Sequence, residues 1–210
     1  MKKRSLRLFL ALLFLALPLL VPGSALSAEA VSGPEKTVSG LHSVLISVMK
    51  DAKKLGFRGR YDVLDPEIRE RFDLAFITRF AAGRYWRRLT EEQKRELTER
   101  FSVMSVATYA SRFDGYSGEE FRHIGVEEAK RGRVIVRTVL VKSDGETFDF
   151  VYVLRRTGDG WRIINVVVDG VSDLSLKRSQ FTAILKKKGI DGLMKKIDKK
   201  IRDYETGAAD

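Results

Sequence analysis

Cysteine is absent from all 210 residues. Without disulfides, an exported chain must be held together by its core alone. Anchoring through an acylated cysteine is excluded as well. Histidine is scarce: His42 and His123 are the only two, far apart and in no metal-ligand spacing. Both read as surface or half-buried polar residues, so neither a metal site nor a cofactor is expected. No nucleophile elbow, Gly-rich phosphate loop or zinc motif is present. Glu119-Glu120 and Glu127-Glu128 sit beside strand positions, where adjacent side chains point to opposite faces and cannot form a carboxylate dyad. A long apolar run is missing too. The longest, over 8–21, is roughly 14 residues and is broken by Pro18, whereas a membrane span needs about 20.

What is there begins with Lys2-Lys3-Arg4, then that apolar run, then the small residues Gly23, Ser24, Ala25, Ser27, Ala28 and Ala30. This order marks a secretory signal peptide, with cleavage expected between Ala25 and Ala30. The expected organisation is a signal peptide over 1–28, one domain over 29–205 and a frayed tail over 206–210. The formal net charge is +11, and removing Lys2, Lys3, Arg4 and Arg7 leaves +7. With 28 acidic residues among the cations, the mature surface fits a soluble domain that meets anionic surfaces. Nucleic acid is the other common partner of a basic chain, and export argues against it.

Helical spacing dominates the first half. Val38, Leu41, Leu45, Val48 and Ala52 form a stripe over 34–56, with Gly56 as the stop. Asp65-Pro66 reads as the start of a second helix. Its stripe is Ile68, Phe72, Phe76 and Phe80, and Gly83 ends it. Thr90 and Gln93 have capping-box spacing and open a helix carrying Leu97, Phe101, Met104, Ala107 and Phe113.

The period then changes. Segments 121–128, 134–141, 148–154 and 161–168 are β-rich and separated by short Gly-containing gaps, which predicts an antiparallel meander of about four strands. After Gly170 the helical period returns with Leu174, Phe181, Ile184 and Leu185 as far as Gly189. A last segment carries Leu193, Ile197 and Ile201, with Lys195, Lys196, Lys199 and Lys200 on its other face. Helices, strands and helices again predict an α+β domain with helices packed on a curved sheet. The strands look apolar on both faces, for example Val134 and Val136 against Ile135 and Val139. Either helices sandwich the sheet, or one face lines an apolar cavity.

Several segments resemble the MlaC family of periplasmic phospholipid-binding proteins. Gly83-Arg84-Tyr85-Trp86-Arg87, followed by Thr90 to Gln93 and Phe101, is similar to the family's central Gly/Trp segment and following helix. Thr108-Tyr109-Ala110 with Tyr116-Ser117-Gly118 is similar to its Tyr-rich helix exit. The most specific match is Trp161-Arg162-Ile163-Ile164-Asn165-Val166, then Asp169-Gly170-Val171-Ser172 and Arg178-Ser179-Gln180-Phe181. Three positions depart from the family pattern: Asn165 for Asp, Asp173 for Leu and Lys177 for Tyr. Gly-Val-Ser-Asp-Leu is closer to the hopanoid-associated HpnM branch.

The resemblance implies a nuclear-transport-factor-like α+β cone with an apolar pocket between sheet and helices. It implies a periplasmic carrier of a phospholipid, or of a hopanoid or related lipid, and not an enzyme. The pocket should take acyl chains and leave the headgroup near water. Candidate lining residues are Phe76, Phe80, Phe101, Met104, Val136, Phe148, Phe150, Tyr152, Trp161 and Ile163. Each also has a plain core reading. A pocket for a diacyl lipid is expected to reach about 1,000 Å³ or more, beyond most drug-sized sites. The implied partners are an MCE-type inner-membrane ABC transporter complex, an outer-membrane lipoprotein and a transiently touched membrane surface. Lys195, Lys196, Lys199 and Lys200 are the candidate docking residues, and a monomer suits that task. The competing reading is a cone-fold hydratase or isomerase, with His123, Asp149 and Asn165 as its polar suspects. A dry lining would favour the carrier; a convergent acid and base would favour the enzyme.

Overall fold

Apolar spacing in the first half of the chain becomes four consecutive helices. In the computed structural model, which describes residues 26–208, these are α1 (Leu26–Lys50), α2 (Ala52–Arg71), α3 (Leu74–Ala82) and α4 (Glu91–Arg112). A 3-10 turn over Gly83–Arg88 joins the last two. The expected signal segment lies largely outside the described residues. Among those described, no helix is long and apolar enough to cross a membrane.

Backbone hydrogen bonds run on through Asp51, whose amide donates to the Ser47 carbonyl at 3.2 Å and whose carbonyl accepts from Leu55 at 2.9 Å. The true break falls inside α2 at Gly56, with φ 61° and ψ −174°. That is the left-handed half of backbone space, where only glycine sits without strain, and it is the stop expected from the sequence.

Two helix expectations need correction. Pro66 does not open a helix; it lies inside α2. The turns before it are anchored by fully buried Leu64 and by Arg60, whose guanidinium donates to the carbonyls of Ala110 (2.8 Å) and Ala52 (3.1 Å). This packing outweighs the donor that proline lacks. The four-residue stripe from Ile68 to Phe80 is also split. Phe72 is extended, and the Asp73 carboxylate accepts from the Phe76 amide at 3.0 Å to cap α3. Arg162 donates to the carbonyls of Arg69 (3.1 Å) and Glu70 (2.6 Å), ending α2. Ile68 stays on α2, Phe72 lies in the extended link where it bridges to Ile163, and Phe76 and Phe80 belong to α3.

The capping box is present as read: the Gln93 amide donates to Thr90 Oγ1 at 3.2 Å, and the Thr90 amide to Gln93 Oε1 at 3.0 Å.

The meander forms β1 (Glu120–Ala129), β2 (Arg133–Val141), β3 (Thr147–Thr157) and β4 (Gly160–Val168), all antiparallel in that order. A short β5 (Val171–Ser172) pairs with β4. The fold is α+β as expected, with one more strand than the pattern showed. Helix α5 (Asp173–Glu205) follows, broken at Gly189 by φ 64° and ψ −167°.

The doubled apolarity of the strands divides by face. Val134, Val136, Tyr152, Leu154 and Ile163 are buried under the helices. Ile135, Val139, Val151, Val153 and Val167 lie partly exposed. The helices therefore cover one face and do not sandwich the sheet. Trp161 fixes α1 to the start of β4: its Cδ1 would lie 2.7 Å from any Cβ at Gly33, so only glycine lets the indole approach.

Candidate functional site

Between α4, the start of α5 and the covered face of the sheet lies a cavity of about 750 Å³. Its deep wall comes from Ile68, Phe72, Ile77, Phe101 and Ile164, all buried. The sheet contributes Leu140, Phe148, Phe150, Val166 and Val168. Exposed and charged groups gather towards the mouth: exposed Arg112, Asp114 and Ser117 and half-buried Glu119, Lys142 and Lys177.

The polar groups in the wall are mostly spoken for. Ser105 and Thr108 hydroxyls each donate to the carbonyl one turn back on α4, at 2.8 Å, so they present little unmet polarity. Asn165 Oδ1 accepts from the Ser172 hydroxyl and from the Leu174 amide, both at 3.1 Å, and so caps α5. Asp173 is held by Lys177 at 3.2 Å. Tyr109 stacks on Phe113 with ring centroids 5.7 Å apart, and Phe72 packs against its ring at the same distance. Burial pushes the Tyr109 hydroxyl well above the usual phenol range, and Asp173 adds to the shift. It stays protonated and is a neutral polar group on an otherwise apolar wall.

A second concavity of about 930 Å³ opens between α1 and strands β1 and β2. Its floor includes His42, Phe121 and Val136, and its rim includes Lys36, Lys50 and Glu119. His42 stacks on Phe121 with centroids 3.8 Å apart, and Phe121 meets Phe150 edge-on at 5.7 Å. Phe150 faces the first cavity and Phe121 the second, so this aromatic row is the partition between them.

The residues singled out from the sequence are dispersed. Phe101, Phe148 and Phe150 line the 750 Å³ cavity, and Val136 lines the second one. Met104, Tyr152 and Ile163 are buried in the core. Phe76 and Phe80 stack on each other at 6.3 Å beneath Arg155 and Arg178, away from both linings. Trp161 packs on Gly33. Because Met104, Tyr152 and Ile163 fill space as core, the cavity is smaller than the roughly 1,000 Å³ expected for a diacyl lipid. The structure adds Phe72, Tyr109, Ser105, Arg112 and Ile164. Of these, Phe72, Tyr109 and Ile164 stood in segments the sequence had marked, and Ser105 and Arg112 did not.

The three polar suspects for catalysis do not converge. His123 lies on β1, half exposed, 3.0 Å from Glu35. Asp149 is exposed and pairs with Asp169 through its backbone. Asn165 lines the cavity but is committed to α5. Among the described residues no cluster of three or more His, Cys, Asp or Glu could hold a metal ion. The cavity can enclose an apolar chain and leave a polar end among Arg112, Lys142 and Lys177.

On the docking candidates, Lys195 and Lys196 are exposed, Lys199 bonds Asp203 at 2.6 Å and Lys200 lies 5.4 Å over the Tyr204 ring.

Known proteins resemble this chain along most of its length. Toluene tolerance protein ttg2D of Pseudomonas putida is 28% identical over 200 residues, which is 92% of this chain and 88% of that protein. The phospholipid-binding protein from Ralstonia solanacearum, solved in complex with a phospholipid at 1.53 Å resolution, superposes with a TM-score of 0.71. It is 21% identical, and the match covers 80% of this chain and 96% of that one. At that identity the likeness speaks for the fold. Residues 41–199 match the MlaC protein family, and the chain belongs to it.

Proposed function

We propose that this protein is a periplasmic lipid carrier that encloses the acyl chains of a phospholipid in the 750 Å³ cavity and shuttles it between inner and outer membranes, helping to keep the outer membrane asymmetric. One observation carries the reading: the cavity wall is largely apolar, the Ser105 and Thr108 hydroxyls are satisfied by their own helix, and the charged groups gather at one end. The Ralstonia protein of the same fold was solved with a phospholipid.

At about 0.8 kcal/mol per buried CH₂, two acyl chains of about 16 carbons cost roughly 25 kcal/mol to expose to water. A carrier has only to match the membrane's burial, so transfer runs close to balance and follows the gradient between donor and acceptor. No bond is made or broken. The lysine face of α5 is the proposed docking surface for the MCE-type transporter complex, with an outer-membrane lipoprotein as the partner at the other end.

A second reading concerns the ligand. Asn165, Asp173 and Lys177, the three departures from the family pattern, all line the cavity. Substitutions concentrated there favour a lipid that differs from the main family's, and a hopanoid or related lipid is the alternative. The carrier function is tested by transfer of a labelled phospholipid from donor to acceptor vesicles. Acceleration by the protein supports it; a rate equal to the protein-free rate removes it.

A further inference from the structure

The mouth of the cavity carries an arrangement that the carrier reading does not by itself require. Among the described residues, six large apolar side chains are markedly exposed, and two of them stand beside this mouth. Val171, 61% exposed, pairs with Val168 of the cavity wall. Leu176, 48% exposed, precedes Lys177 on α5. Charged groups accompany them, the cations Arg112, Lys142 and Lys177 beside the carboxylates of Asp114, Glu119 and Asp173. Arg112 is exposed and makes no ion pair among the described residues, Lys142 reaches Glu146 and Lys177 reaches Asp173. Apolar tips beside cations suit a lipid interface, where the tips enter the headgroup layer and the cations meet phosphates.

The lysine face is elsewhere. Before its break at Gly189, α5 runs antiparallel to α4, with Phe181 against Phe101 and Asp173 by Tyr109; beyond the break Asp198 returns to pair with Arg100. Arg112 and Lys177 both stand at the mouth. From Arg100 to Arg112 the helix rises about 18 Å. A flat surface touched by Lys195 and Lys196 therefore leaves the mouth far from it.

We infer that Val171, Leu176 and Arg112 form a membrane-docking rim that sets the cavity mouth directly on a phospholipid surface. The inference rests on the carrier reading, since a mouth that meets the bilayer gives a lipid a path that never crosses open water.

The absence of cysteine allows a site-by-site test in the full mature protein. Val171→Cys, Leu176→Cys and Lys196→Cys are each labelled with a polarity-sensitive dye. They are then mixed with vesicles of equal parts phosphatidylethanolamine and phosphatidylglycerol. The rim predicts a blue shift at 171 and 176 and none at 196. It also predicts that the doubly substituted Val171→Asp, Leu176→Asp protein loses vesicle binding about tenfold or more while retaining the wild-type amount of extractable lipid. A shift confined to 196, or none at either rim site, overturns the inference and makes a protein partner the receptor for the mouth. Lipid content is scored on the same samples: unlabelled wild type that is folded but lipid-free removes the carrier reading, whatever the dyes report.

Discussion

Nε2 of His42 lies 3.0 Å from the hydroxyl of Tyr152, joining α1 to the third strand of the sheet at the partition between the two cavities. Tyr152 is 1% exposed, and His42 is the one partner its hydroxyl has among the described residues. Burial pushes the imidazole pKa down to about 3, with His123 adding to the shift. His42 is therefore neutral at neutral pH, and its Nε2 shares a hydrogen bond with the tyrosine hydroxyl.

A depressed histidine pKa gives a defined pH dependence. Between about 6.5 and about 3 the unfolded chain binds a proton at this site that the folded chain refuses, so stability rises with pH across that window and falls on acidification. At pH 5 the loss from His42 alone is about 2 kcal/mol relative to pH 7. Urea midpoints of wild type and His42→Gln at pH 7 and pH 5 isolate it. The variant is expected to lose less stability on acidification than the wild type; equal losses refute the assignment.

Arg60 is 9% exposed and gives two hydrogen bonds to helix carbonyls, one on each side of the α2–α4 contact. Arg60→Ala leaves Ala110 and Ala52 without those donors and is expected to cost about 3 kcal/mol, read as a lowered denaturant midpoint. Arg60→Lys keeps the charge but not the fork, and should fall between.

Ser105 lines the cavity from α4 and is half-buried. Ser105→Trp places an indole where the ligand is proposed to lie. The expected outcome is a drop of tenfold or more in bound lipid, about 1.4 kcal/mol or beyond, with the circular dichroism spectrum unchanged. Full lipid occupancy in this variant would place the ligand elsewhere.

Most of the secondary structure was legible because the signals were local. The β-rich run over 134–141 between Gly-containing gaps and the Thr90–Gln93 spacing each specify an element without help from the rest of the chain. The errors arose where tertiary contacts decided the outcome. Pro66 was read as a helix start because a proline there is locally sensible; only Arg60 reaching Ala110 shows why the helix begins earlier. The stripe from Ile68 to Phe80 is periodic, yet Asp73 and Arg162 cut it in two. The cavity was harder still. An aromatic residue that plugs a core and one that lines a cavity have the same spacing, so Phe150 could not be told from Tyr152 two positions on. Arg112 carried no pattern at all; its position follows from where α4 ends.

Charge reversal at Lys195, Lys196, Lys199 and Lys200 addresses docking. These side chains stand on the exposed face of α5, so their exchange for Glu should leave the fold intact. Lipid transfer to the membrane-bound partner complex is expected to slow several-fold at low salt, the difference shrinking as salt screens it. Unchanged rates at low salt would remove the lysine face from the docking account.

Mass spectrometry of organic extracts from protein purified out of the periplasm tests the central claim most directly. The account predicts a diacyl phospholipid, or a hopanoid, in stoichiometric amount. Folded protein that yields no lipid would contradict it.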